Sequence, residues 1–468
     1  MSTKIKFGTS GWRALIAEEF TVANVRRAVT GIAHYVAGQK PQGARVIVGR
    51  DPRFMGERFV EITVQILSSA GIKPLVVPEP APTPTVAFEV IRLKVDGAIN
   101  FTASHNPAEY NGLKFSTPDG APALPEVTKK IESLIPSDGD YSGTQSAQQT
   151  VQPEQIDPRP AYLARLKEMV DLPAIKKSGT KIVYDPLWGA ARGYPDHLLR
   201  EAGIEVSTVH DWRDVLFGGH APEPDGAALN DLRDKMKETG ASLGISTDGD
   251  ADRFGIVDSD GTFIQPNYIV ALLFDYLVET RSWKNGVAKS VTTTNMINAL
   301  AKSYGVELHE TPVGFKYIGE LIKSDRIAIG GEESAGLSIR YHVPEKDGIL
   351  AGLLCCEVVA RRKKPLGEQI RDLFNKVGTF YPHRENFHLT GEMGEKFTRK
   401  LRADPVELSG RKIAEVVRKD GLKLVFSDGS WVAYRMSGTE PVVRVYSEAR
   451  SEPDLKKLAA AAKDWIFN

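Results

Sequence analysis

Cysteine is nearly missing from this chain: 468 residues contain two, Cys355 and Cys356, adjacent within an apolar run. Neighbouring cysteines in what reads as a buried helix exclude a disulfide framework and a zinc finger, and they point to a reducing, cytoplasmic setting. Charge of one sign is missing too. Sixty basic residues balance sixty acidic ones, so no broad basic field exists, and neither nucleic acid nor an anionic membrane is expected as a partner. Apolar runs such as Ile349 to Cys356 fall far short of a membrane span, and the opening Met-Ser-Thr-Lys-Ile-Lys leads into a glycine motif instead of a signal-peptide core. No two glycines stand two apart, no Gly-Lys pair exists, and Gly-x-Ser-x-Gly does not occur. Those absences remove the dinucleotide fingerprint, the Walker phosphate loop and the α/β-hydrolase nucleophile elbow.

What is present is an alternation of strand-like and helix-like patterns, which argues for α/β units with largely parallel sheets. Arg45 to Val48, Lys181 to Tyr184, Ser290 to Thr294 and Arg326 to Ile329 read as strands, while Tyr194 to Ala202, Met296 to Tyr304 and Phe315 to Ile322 read as helices. Pro136 to Pro158, rich in Ser, Gln, Asp, Gly and Pro, reads as a linker. Phe254 to Val257 and Thr262 to Gln265, joined by the turn Asp258-Ser-Asp-Gly261, read as a hairpin that closes a second unit. The C-terminal part differs: a hairpin of Lys423 to Phe426 and Trp431 to Arg435, a strand from Val442 to Ser447 and an amphipathic helix from Glu452 to Ile466 suggest a small α+β domain. Four domains are expected, at 1–150, 151–260, 261–375 and 376–468.

The densest chemistry lies in Ser246-Thr-Asp-Gly-Asp-Ala-Asp-Arg-Phe-Gly255, where Asp248, Asp250 and Asp252 alternate directly after an apolar stretch. Three uncompensated carboxylates this close repel one another by several kcal/mol, so the pattern fits a hard divalent cation with oxygen ligands. A calcium EF-hand is excluded, because its sixth position requires glycine and holds Arg253, while its twelfth requires glutamate and holds Ser259. Magnesium serving a phosphoryl group fits better, with a solvated acidic turn as the alternative. Further polar loops follow strand-like runs. Thr102-Ala-Ser-His-Asn-Pro107 with Lys114 downstream offers Ser104 as a nucleophile or phosphate carrier, or as an ordinary turn residue. Gly330-Gly-Glu-Glu-Ser-Ala-Gly336, followed by Glu345-Lys-Asp-Gly348, can read sugar hydroxyls or form an acidic turn. Arg435-Met-Ser-Gly-Thr-Glu-Pro441 with Arg444 suits a phosphate, or ends a hairpin with surface arginines. Phe7-Gly-Thr-Ser-Gly-Trp-Arg13 sets one more arginine after glycines and hydroxyls.

In this order, Thr102 to Pro107, Asp248 to Arg253, Gly331 to Gly336 and Arg435 to Thr439 resemble the motifs of the α-D-phosphohexomutase family, over nearly the whole chain. The resemblance implies four domains around a central cleft, the first three sharing an α/β topology and the last resembling the TATA-box-binding-protein fold. It implies a phosphoserine at Ser104 and Mg²⁺ on Asp248, Asp250, Asp252 and a phosphoserine oxygen. Glu332 and Ser334 would read the sugar, while Arg435, Ser437, Gly438, Thr439 and Arg444 would hold the idle phosphate. Arg13, Lys114 and Arg253 would surround the transferring group, with His105 and Lys346 as acid–base candidates. The substrate would be a hexose phosphate and the intermediate glucose 1,6-bisphosphate. Gly-Glu-Glu-Ser-Ala-Gly is similar to the phosphoglucomutase subgroup, whereas phosphomannomutase/phosphoglucomutase and glucosamine groups carry Gly-Glu-x-Ser-Gly-His. The histidine of those groups is Gly336 here, and Lys346 takes its proposed role. Phosphomannomutase or broad-specificity activity, a phosphatase and a non-catalytic sugar-phosphate binder are the rival readings. A monomer or a homodimer is expected.

Overall fold

The computed structural model describes residues 4–137, 151–436 and 442–467. Four sheets follow one another along the chain. The first orders its strands Trp12–Leu15, Tyr110–Ser116, Ala98–Phe101, Arg45–Arg50, Lys73–Val76 and Glu154–Gln155. The second orders Phe254–Asp258, Leu243–Thr247, Ile182–Asp185 and Val206–Thr208, and the third Leu308–Thr311, Gly286–Ser290, Ile327–Glu332 and Gly336–Ile339. These three share a device. In each, a parallel strand runs out of the core and returns as an antiparallel neighbour: Ala98–Phe101 with Tyr110–Ser116, Leu243–Thr247 with Phe254–Asp258, and Ile327–Glu332 with Gly336–Ile339. The connection at each return is one of the polar loops, and it stands at the carboxyl end of a parallel strand, where open α/β sheets bind ligands. The fourth sheet is wholly antiparallel, Tyr381–His388, Val442–Ala449, Trp431–Met436, Leu422–Phe426, Arg411–Val417 and Glu407–Leu408, beside helix Glu452–Phe467.

One sequence reading is extended and one is corrected. Phe254–Asp258 turns at Asp258 to Gly261 into a short antiparallel return, bridged at Val257 and Phe263, with Asp258 N donating to the Thr262 carbonyl and Ile264 N to that of Ile256, both at 2.9 Å; its other edge pairs with the preceding strand, Leu243–Thr247. Ser290 to Thr294 is not a strand: the strand is Gly286–Ser290 and the threonines form the loop beyond it. β-branched residues favour strands, but Ser290 and Thr293 donate from their hydroxyls to Glu333 at 2.9 and 3.2 Å, a competing use for the segment. The expected linker also takes part in the fold, since Glu154–Gln155 pairs with the edge strand Lys73–Val76.

Burial sorts the units unequally. Helix Gly348–Arg362 is buried from Gly348 through Ala360, on every side, as a run that is apolar except for Glu357 requires. It packs against strands of both the second and third sheets, which share one continuous apolar core running from Tyr162 to Phe380. The first and fourth units keep cores of their own. The hydrogen bonds and ion pairs at the first unit's junction are therefore decisive for the site.

Candidate active site

Ser104 follows the strand Ala98–Phe101 in a left-handed backbone conformation, with φ +53°, uncommon for a residue with a side chain. What holds it there is Arg53, wholly buried at the end of the neighbouring strand. All five guanidinium donors are used: Nε to Asp51 Oδ2 at 3.0 Å, one terminal nitrogen to the carbonyls of Pro107 and Tyr110, and the other to those of Ser104 and Asn106 at 2.7 and 2.6 Å. Motif reading missed this residue, because Arg50-Asp-Pro-Arg53 has the composition of a charged surface turn. Its place just beyond a parallel strand is the signal that finds it.

The Ser104 hydroxyl donates to Asp248 Oδ2 at 2.7 Å, although 144 residues separate them. Gly249 permits the approach, since a Cβ there would lie 2.6 Å from the Ser104 carbonyl oxygen. Asp248, Asp250 and Asp252 are fully buried, and each offers an oxygen within 4.8 Å of the others. Lys114 Nζ donates to Asp250 Oδ2 at 2.5 Å and Asp252 Oδ2 at 2.8 Å, and Lys346 Nζ reaches Asp252 Oδ2 at 2.9 Å. Burial and the two neighbouring carboxylates push Asp248 well above the usual carboxylate range. Burial acts the same way on Asp252, yet Lys114, Lys346 and Arg253 hold it well below that range. Burial opposes the charge on Lys114, but Asp250 and Asp252 raise its pKa above the ordinary value. Asp250 Oδ1 and Asp252 Oδ1 are buried without a hydrogen-bond partner. Unpaired buried carboxylate oxygens are costly, and an oxygen set of this kind fits a hard divalent cation.

Cations and a neutral imidazole surround the serine. Arg13 donates to Asn106 Oδ1 at 2.8 Å, and Arg253 reaches Glu223 Oε1 at 3.3 Å. His105 Nδ1 lies 3.4 Å from Ser104 Oγ. Burial, with the Arg253 and Arg13 guanidinium groups, holds His105 well below its ordinary pKa, so the ring is neutral.

The segment Glu345-Lys-Asp-Gly348 proves to be a compact positioning device. Asp347 Oδ1 accepts from Leu350 N at 2.9 Å and caps the buried helix, while Gly348 N donates to the Ala251 carbonyl at 3.0 Å. A Cβ on Gly348 would overlap the Arg253 carbonyl, so the helix start rests directly on the aspartate loop. A Cβ on Gly336 would overlap Cδ of Lys346, so the absence of a side chain at Gly336 is what gives Lys346 its place. Glu332 accepts from Gly314 N at 2.8 Å. Burial and Glu333 push its carboxyl up to about 7, against Lys346. Ser334 stands half-buried on the same loop.

Arg435 and Arg444 face each other directly across two antiparallel strands of the fourth sheet, a like-charge pairing that an anion between them would relieve. Asp420 Oδ2 accepts from Arg435 Nε and from Val313 N, both at 3.0 Å, and so ties this pair to the third unit. Ser437, Gly438 and Thr439 lie outside the described residues. Ser104, His105, Lys114, Arg13, Arg253, Lys346 and the three aspartates come together, with Glu332 and Ser334 on the adjoining loop.

Four family descriptions match in succession: phosphoglucomutase/phosphomannomutase α/β/α domain I over residues 4–142, domain II over 160–261, domain III over 265–377 and the C-terminal domain over 388–464. A phosphoglucomutase/phosphomannomutase of Thermococcus kodakarensis is 31% identical over 449 residues, 95% of each chain. A phosphoglucomutase of Komagataeibacter xylinus is 29% identical over 518 aligned residues, 99% of this chain and 91% of that one. Among solved structures, a Thermus thermophilus protein provisionally assigned as a phosphomannomutase superposes with a TM-score of 0.87 at 32% identity, over 100% of both chains. The chain belongs to the phosphoglucomutase/phosphomannomutase family, a family of phosphohexomutase enzymes.

Proposed function

We propose that this enzyme interconverts glucose 1-phosphate and glucose 6-phosphate through a phosphorylated Ser104 and a bound glucose 1,6-bisphosphate. The observation that carries the reading is the Ser104 hydroxyl, 2.7 Å from Asp248 and set among buried carboxylates and cations contributed by three units. In the forward half, the bond between phosphorus and Ser104 Oγ breaks as a bond forms from phosphorus to a sugar hydroxyl oxygen; that hydroxyl passes its proton to a basic group of the site, and Ser104 Oγ takes up a proton as it leaves. The bisphosphate then turns over, and its other phosphoryl group passes back to Ser104. Asp248, Asp250 and Asp252 would hold a Mg²⁺, which when bound would supply Lewis-acid polarisation of the transferring group. Arg13, Lys114 and Arg253 offset the charge that develops on its oxygens. Neutral His105 beside Oγ and Lys346 beside Asp252 are the proton carriers.

Glu332 and Ser334 read the sugar hydroxyls. Arg435 and Arg444, with Ser437, Gly438 and Thr439, hold whichever phosphate is idle, so one clamp serves both orientations. Glucose is favoured because Gly331-Glu-Glu-Ser-Ala-Gly336 is similar to the loop of the phosphoglucomutase subgroup, and Gly336 in it leaves the space that Lys346 occupies. Broad hexose specificity is the second reading, supported by the double name of the Thermococcus relative. A coupled isomerisation assay with Mg²⁺ and catalytic glucose 1,6-bisphosphate tests both. A kcat/KM for glucose 1-phosphate well above that for mannose 1-phosphate is expected, comparable values establish the broad reading, and release of free phosphate faster than isomerisation refutes a mutase.

A further inference from the structure

Asp250 is contacted from an unexpected side. Thr83, the first residue of helix Thr83–Leu93 in the first unit, donates from its hydroxyl to Asp250 Oδ2 at 2.5 Å, and its backbone N–H donates to the Asp250 carbonyl at 2.9 Å. All of these groups are buried, and they lie 167 residues apart in the chain. The direction of the hydroxyl is fixed. Asn100 Nδ2 donates to one lone pair of Thr83 Oγ1 at 3.1 Å, and the single hydroxyl proton goes to the carboxylate, which can only accept. The Asn100 backbone is held in the strand, paired with Gly49 on one side and Lys114 on the other, and its buried side chain has this one hydrogen bond among the described residues. Asp250 Oδ2 thus receives Thr83 and Lys114, while Asp250 Oδ1 keeps no partner.

We propose that Asn100 and Thr83 form a positioning relay in the first unit that fixes the rotation of the Asp250 carboxylate, turning Oδ1 toward the cation. The inference rests on the reading of Asp250 as a metal ligand, and it adds that the metal site of the second unit is completed from the first. Groups that orient a ligating carboxylate typically alter metal affinity by about 10- to 100-fold when removed. Thr83→Val keeps the shape and removes the proton, whereas Thr83→Ser restores it.

The test is a Mn²⁺ titration of the full-length chain followed by electron paramagnetic resonance of the free ion, with melting temperature measured in the absence of metal. Thr83→Val should raise the Kd by about 10- to 100-fold while leaving the metal-free melting temperature close to that of the parent protein, and Thr83→Ser should stay within about threefold of the parent. An unchanged Kd in a folded Thr83→Val protein overturns the relay. If that variant does not fold, Asn100→Ala decides: it keeps the hydroxyl but frees its rotation, and a Kd within experimental error of the parent overturns the relay equally. Failure of the parent protein to bind Mn²⁺ refutes the metal-ligand reading of Asp250 itself, and the relay with it.

Discussion

Arg53→Met is the substitution with the largest consequence outside the reacting groups. The guanidinium has no exposed surface, and its five donors serve Asp51 and the carbonyls of Ser104, Asn106, Pro107 and Tyr110. Removing it leaves Asp51 buried without its cation, keeping only neutral donors such as the residue-53 backbone N–H at 3.0 Å, and burial already pushes that carboxyl up against the pull of Arg53. Breaking one side of a buried ion pair costs about 3–5 kcal/mol, and the orphaned carbonyls add to this without being additive. At roughly 3 °C per kcal/mol for a unit of this size, the first thermal transition should fall by about 10–15 °C. Asp51→Asn in the Arg53→Met background should recover part of the loss, because it removes the uncompensated charge. Activity should fall further than stability, since the left-handed conformation of Ser104 loses its support. Circular dichroism melts of the two variants, with isomerisation rates at a temperature where both are folded, make the measurement. A single variant melting within about 3 °C of the parent, or a double variant no better than the single, would refute the role assigned to Arg53.

Gly336→Ala places a methyl where Lys346 runs. It should lower kcat by at least about tenfold with little change in far-ultraviolet circular dichroism, and unchanged kinetics would separate Lys346 from the chemistry. Glu332, pushed up to about 7, keeps its proton in the folded state after the unfolded chain has lost it. Its contribution to stability therefore falls as pH rises from the ordinary carboxyl value through about 7. Its ability to accept from sugar hydroxyls grows over the same window, so kcat/KM should rise through an apparent pKa near 7; Glu332→Gln should remove that rise, and an unaltered profile counts against it.

The site was legible where chemistry is written in residue type and spacing. Asp248, Asp250 and Asp252 alternate after an apolar strand, and the fold buries all three within reach of one another. Less legible was anything whose meaning depends on a distant partner. Arg53 and Thr83 look like ordinary turn and helix residues until carbonyls about fifty residues away and a carboxylate from the next unit meet them. The run after Ser290 misled for a local reason: its strand propensity is overridden by the Ser290 and Thr293 hydroxyls, which serve Glu333. The return after Asp258 was legible from its turn residues, whereas the pairing of Phe254 to Asp258 with Leu243 to Thr247 on the strand's other edge was not. Gly336 was visible only as a missing histidine, whereas its place against Lys346 explains why nothing larger stands there.

The central claim is that Ser104 carries the phosphoryl group. Intact-mass spectrometry after incubation with glucose 1,6-bisphosphate, followed by an isomerisation assay on the same samples, tests it most directly. A mass increase of one phosphoryl group is expected in the parent protein, disappearing on addition of excess acceptor sugar phosphate, with neither adduct nor mutase turnover in Ser104→Ala. A Ser104→Ala protein that still takes up the phosphoryl group, or isomerises at the parental rate, would contradict it.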